Sequence, residues 1–169
     1  MLNRVTIRVV SLLCVFAAAG SASAQVGLET TYPYTGMIKG TSVRVRPLPG
    51  DPSGANKYYY CAVLDRPAKV TVVGERNGWL AVLPPEGCYN VVLQSVVQVD
   101  STGTKGTITK REAARAAGTA RNANFVVAQS WLKPGDTVEI IGTAVDRFKF
   151  YKIKAPPKVY FWIHAPLVV

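Results

Sequence analysis

Few residues in this chain have the reactivity that catalysis needs. His164 is the single histidine of 169 residues and lies within the final apolar run. With no second imidazole and no thiol near it in sequence, it has no partner for a metal site, and a structural or surface role is expected. The three cysteines are Cys14, Cys61 and Cys88. A Cys–His hydrolase would need one of them kept as a reduced nucleophile with a residue to orient the base, and no such motif surrounds them. G-x-S-x-G, H-E-x-x-H and phosphate-cradling glycine loops are absent. The expectation is a non-enzymatic chain with no catalytic residue, no metal and no cofactor.

The cysteines have a different chemistry open to them, set by compartment. Arg4 and Arg8 form a positive segment, Val9 to Ala19 is a short apolar run, and Ala22-Ser23-Ala24 is an A-x-A cleavage site. Residues 1–24 therefore read as a signal peptide, leaving Gln25 first in an exported, periplasmic or secreted chain. The run is too short for a spanning helix, so no membrane span is expected in the mature chain. Cys14 leaves with the signal peptide. Cys61 and Cys88 remain, and an oxidising compartment favours their pairing as a disulfide. The loop closed is about 27 residues, a stabilisation of about 3 kcal/mol in the chain-entropy model. Two separate buried thiols are the alternative.

Charge narrows the partners. The full chain carries 20 basic and 10 acidic residues, and loss of Arg4 and Arg8 leaves +8. A basic exported protein suits anionic envelope polymers or acidic partner faces. The basic residues are scattered rather than clustered, which argues against nucleic acid.

The elements that must position any site are strands, and they occur twice. Val70-Thr-Val-Val-Gly74 recurs as Val138-Glu-Ile-Ile-Gly142. Trp79-Leu-Ala-Val-Leu-Pro-Pro85 recurs as Phe150-Tyr-Lys-Ile-Lys-Ala-Pro-Pro157. Gly36-Met-Ile-Lys can be laid on Gly106-Thr-Ile-Thr, and the offset stays near about 70 residues, the scale of one small domain. Val43-Arg-Val-Arg46 alternates with the strand period of two. Asn77-Gly78 between apolar runs predicts a two-residue hairpin turn. Lys110-Arg-Glu-Ala-Ala-Arg-Ala-Ala117 breaks the symmetry, because its residues favour helix; a weak strand or irregular segment is expected there. Short strands with no helix to cover a face should close as small barrels. The division expected is a first domain at 25–99 with its core from about 34, a linker at 100–106, and a second, more divergent domain at 107–169.

Strand alternation also selects candidate binding residues. Leu80 and Val82 share one face, so Trp79 points the other way. By the same argument Tyr151 and Ile153 face the core of the second copy, and Phe150 points outward with Lys152 and Lys154 beside it. Tyr58, Tyr59 and Tyr60 put rings on both faces of one segment. Trp79, Tyr58, Tyr60, Phe150, Lys152 and Lys154 are the ligand-binding candidates. Trp131 and Trp162 are expected in the core.

Taken in order, Tyr34-Thr-Gly-Met-Ile-Lys-Gly-Thr-Ser-Val-Arg-Val-Arg46, the loop after it, Val70 to Gly74, Asn77-Gly-Trp79 and Pro84-Pro-Glu-Gly87 resemble a bacterial SH3-like domain. Leu132-Lys-Pro-Gly-Asp136, Val138 to Gly142, Phe150-Tyr151, Pro156-Pro157 and Trp162-Ile163 carry the second copy. The resemblance to a tandem bacterial SH3-like protein covers almost the whole mature chain. It implies an all-β fold of two tandem SH3-like barrels and an exported, non-catalytic binding module. Such modules often hold peptidoglycan or its peptides. A structural adaptor that binds another envelope protein is the alternative. Ligand identity, domain angle and oligomeric state are left open.

Overall fold

The two Val/Ile-rich repeats build the two longest strands, and each is bent at the same place. The computed structural model describes residues 30–50, 59–120 and 125–169; the signal peptide expected at 1–24 and Tyr58 lie outside them. Strand β4 (Lys69–Arg76) and strand β11 (Thr137–Val145) each end the repeated motif in a register shift, between Val72 and Gly74 in one and between Ile140 and Gly142 in the other. The extra residue increases local twist and curls the sheet. Each bent strand then returns through a hairpin, to β5 (Trp79–Val82) and to β12 (Lys149–Ile153). The first hairpin turns on Asn77 and Gly78 at φ of 50° and 76°, as the Asn-Gly pair predicts.

The remaining strands complete an all-β architecture. They are β1 (Tyr34–Met37), β2 (Val43–Val45), β3 (Ala62–Leu64), β6 (Cys88–Leu93), β7 (Val97–Val99), β8 (Lys105–Ile108), β9 (Glu112–Gly118), β10 (Ala128–Leu132) and β13 (Phe161–His164). One sheet runs β1-β4-β5-β13, with β2-β3 as a separate pair joined to it by the Arg46–Trp162 bridge. The other runs β10-β9-β6-β12-β11-β8-β7. The orders match under the sequence repeat: β1, β4 and β5 take the places of β8, β11 and β12. The next strand is exchanged. In the first half it is β13, from the end of the chain, paired to β5 with Phe161 opposite Val82. In the second half it is β6, from the first repeat, paired to β12 with Ile153 opposite Asn90.

The exchange continues past those strands. A 3-10 turn at Gln94–Val96 leads from β6 into β7, which pairs with β8. A 3-10 turn at Ala165–Leu167 leads from β13 to Val168, which bridges Ile38 beside β1. Residues 31–169 consequently form one compact unit. The expected division at 25–99 and 107–169 does not follow the strand pairing, because each half's sheet is completed by the other half's tail. The 100–106 segment is a hairpin connection rather than a free spacer. The Asp100 carboxylate accepts from the Thr102 hydroxyl at 2.8 Å and from the Lys105 N–H at 3.3 Å. These bonds hold it below the usual carboxylate range, the Thr102 hydroxyl contributing most.

The cores are mixed accordingly. Phe161, Ile163 and Val168 pack with Ile38, Val45, Val72 and Val82. Val92 and Val96 pack with Ile108, Val138 and Ile153. The alanine-rich segment is a full strand, contrary to its propensity. Ala116 belongs to the first core, Ala114 to the second, and Ala117 packs with Val91 and Phe150 in a third cluster. Only small side chains fit a strand pressed from both sides, and burial outweighs a helix preference of a few tenths of a kcal/mol per residue. Gly118 at its end has no room for a side chain, since a Cβ there would run into the Cys61 carbonyl and lie 2.7 Å from that of Gly87.

The exchange predicts that the halves melt together. Phe161→Ala removes a fully buried ring that the last strand contributes to the first half's core. It should cost about 3–5 kcal/mol, and calorimetry of wild type and variant should each show one transition. Two resolved transitions, with only one displaced, would contradict the exchanged pairing.

Candidate functional site

The alternation in Val43-Arg-Val-Arg46 buries both valines and turns Arg44 outward, with Arg46 half-buried on the same face. Leu80 and Val82 are buried as their spacing predicts, and Trp79 is half-exposed on the opposite side. Cross-strand pairing sets His164 directly beside Trp79. The rings are 5.2 Å apart, tilted at 51°. The Arg46 guanidinium lies 5.9 Å from the Trp79 ring centre, and that of Arg44 lies 5.0 Å from the ring of Tyr60. With Thr41, Ser42, Val43 and Leu167, the residues Arg44, Arg46, Trp79 and His164 line an open cleft of about 610 Å³.

The cleft is built from both ends of the chain. Trp79 comes from the first half and His164 from the exchanged tail. Among the described residues its lining holds two guanidinium groups and no carboxylate. Asp65, near the cleft, is turned to the backbone and accepts from the Ser42 N–H at 2.6 Å. Such a surface favours an anion, with an indole face for an apolar neighbour of that anion. Trp79 is thus at the cleft, and Tyr60 stands beside it through Arg44. His164, Arg44 and Arg46 were missed by sequence reasoning. For the arginines the signal was present in the Val-Arg-Val-Arg alternation; for His164 only strand pairing supplies it.

The second half does not repeat this site. Phe150, expected to face outward, is 5 % exposed. Leu93 stands opposite it where His164 stands opposite Trp79. Its ring is covered by Phe125 at 5.1 Å in an edge-to-face contact, and by Val91 and Ala117. The face opposite the core is therefore closed by the chain's own Phe125 and the exchanged strand. Lys152 is half-buried, its Nζ 4.8 Å from the Tyr89 ring centre. Lys154 is exposed and paired with Glu139 at 2.7 Å. Neither joins the Trp79 cleft. Trp131 and Trp162, expected in the core, are exposed and half-buried respectively.

Cys61 and Cys88 are both free thiols, Cys61 buried and Cys88 half-buried. They meet where β6 leaves the first half. The hydrogen bond with Cys61, then burial, push the Cys88 thiol far above its ordinary value of 9.0. A thiol held protonated is a poor nucleophile. Among the described residues no cluster of three or more His, Cys, Asp or Glu could hold a metal ion, and no helix is long and apolar enough to cross a membrane. No family model, curated protein or solved structure matches this chain.

The Cys88 shift has a definite sign. A folded-state value above the unfolded one stabilises fully below about pH 9, and that contribution is lost as the unfolded thiol ionises above it. Denaturant titrations of reduced protein between about pH 8 and 11 should show stability falling with pH. Cys88→Ala should flatten the decline. An unchanged slope in that variant would contradict the coupling.

Proposed function

We propose that this chain is an exported, non-catalytic envelope-binding module, and that the Trp79 cleft holds carboxylate-bearing peptides of peptidoglycan. The observation that carries the reading is the cleft's composition: Arg44, Arg46, Trp79 and His164 around one opening, with no acidic side chain in its lining among the described residues. Carboxylates are the natural counterpart of guanidinium groups, and the indole suits an apolar peptide side chain. The mature charge of +8 adds long-range attraction to an anionic polymer. The fold reading is that each half is an SH3-like barrel and that the tandem pair has exchanged its closing strands. The 3-10 turn before each tail and the matching strand orders support it. In the oxidising compartment that the leader sequence implies, Cys61 and Cys88 would pair as a disulfide and fix the start of the exchanged strand to the first half; the hydrogen bond between the two thiols supports this reading.

One observation favours the alternative of an adaptor for another envelope protein. Val126, Val145 and Phe148 are exposed side chains, and Val126 and Phe148 line a depression of about 700 Å³ with Leu93, Phe125 and Phe150, rimmed by the charged Arg115, Asp146 and Arg147. Apolar surface of that kind suits a protein partner.

Retention on purified sacculi decides between them. Wild-type protein should be retained and released by salt. Arg44→Glu and Trp79→Ala should each weaken retention by about tenfold or more while leaving circular dichroism unchanged, equivalent to about 1.4 kcal/mol. Folded variants that bind as wild type does, or a wild type that never binds, would move the assignment to the adaptor.

A further inference from the structure

A second surface has a different charge character. Trp131 on β10 is 54 % exposed, although a large ring on a strand is normally covered. The Arg111 guanidinium lies over one side of it, 4.1 Å from the ring centre. That contact orients the indole, and no other ring or cation contacts it among the described residues. Trp131 lines a groove of about 500 Å³ that Pro156-Pro157 also line. The connector that delivers the exchanged β13 therefore forms one side of it.

The polar groups of this groove are mixed in sign. Glu139 is neutralised by Lys154, whose Nζ lies 2.7 and 2.8 Å from its two oxygens. The Asp136 carboxylate is turned to the backbone and accepts from the Lys133 N–H at 2.7 Å. The hydroxyls of Ser130 and Thr137, also in the lining, make no hydrogen bond among the described residues. A flat aromatic shelf bordered by carboxylates already engaged, an ammonium and free hydroxyls has no preference for an ion. It offers both donors and acceptors beside an apolar platform. That is the complement of a sugar ring, with C–H groups on its face and hydroxyls on its edge.

We infer that the Trp131 groove is a binding site for a neutral saccharide chain. The inference extends the proposed reading from the peptide to the glycan of an envelope polymer, and rests on that reading only for the identity of the polymer. The two surfaces divide the work by chemistry: the Trp79 cleft takes charge, and the Trp131 groove takes hydroxylated, uncharged rings.

The three tryptophans provide the test, because each gives one indole N–H signal. Tetra-N-acetylchitotetraose, which carries neither peptide nor charge, is titrated into 15N-labelled protein. The Trp131 signal should move saturably and that of Trp79 should stay. Calorimetry should show binding little changed by salt, weakened about tenfold or more by Trp131→Ala and largely kept by Trp131→Phe. No saturable shift of Trp131, a shift of Trp79 instead, or unchanged binding by Trp131→Ala would each overturn the inference. Retention on sacculi through Trp79 would stand or fall separately, since the probe holds no carboxylate. Trp79→Ala is the matching control and should bind tetra-N-acetylchitotetraose as wild type does.

Discussion

Everything in this fold depends on backbone hydrogen bonds made by strands borrowed from the other half. β5 and β12 would each present an unpaired edge if their own half had to finish the sheet alone, and such edges invite wrong pairing. β13 and β6 cover them instead. The cost is that neither half is self-sufficient. The benefit is a pair of cores that each draw on both halves, so their burial is cooperative.

The contact between the halves is tight because small residues line it. Alanines of β9 reach into all three apolar clusters, and Gly118 lets that strand touch the Cys61 carbonyl. The polar groups trapped there are mostly satisfied by one side chain. Gln129 accepts from the Asn90 amide at 2.9 Å and donates to the carbonyls of Pro47 at 2.8 Å and Tyr160 at 2.9 Å. Asn90 is fully buried, and its Oδ1 has no partner among the described residues. Phe161 holds the corresponding place in the other half. One repeat closes with a ring and the other with a hydrogen-bonded amide, so the two exchanged tails are not interchangeable.

That asymmetry extends to the surfaces. Equivalent positions carry Trp79 and His164 in one half and Phe150 and Leu93 in the other. The first pair opens onto arginines and solvent. The second is roofed by Phe125. The two halves are thus scaffolds of the same strand order with different exposed chemistry. The exchange adds composite sites, since the Trp79 cleft needs a residue from the last strand and the Trp131 groove needs the connector that leads to it.

The sequence by itself determined the local geometry. Asn77-Gly78 specified the tight turn, the Val-Thr-Val-Val-Gly repeat marked the bent strands, and Val43-Arg-Val-Arg46 and Trp79-Leu-Ala-Val82 declared which side chains face inward. The roughly 70-residue repeat announced two similar halves. Each of these is read from neighbours within a few residues, where sterics and the period of two act. Only the tertiary structure decided which edge each closing strand would join. Backbone N–H and C=O groups pair alike whatever side chains they carry, so β6 and β13 bear no mark of their partner. The exposure of several side chains was settled by that same choice of partner. Phe150 is buried because a distant segment lies over it, Trp131 is exposed because none of the described segments covers it, and the alanines form a strand because two cores meet there. Packing between residues far apart in sequence overrides the local signal wherever both faces of a strand are covered.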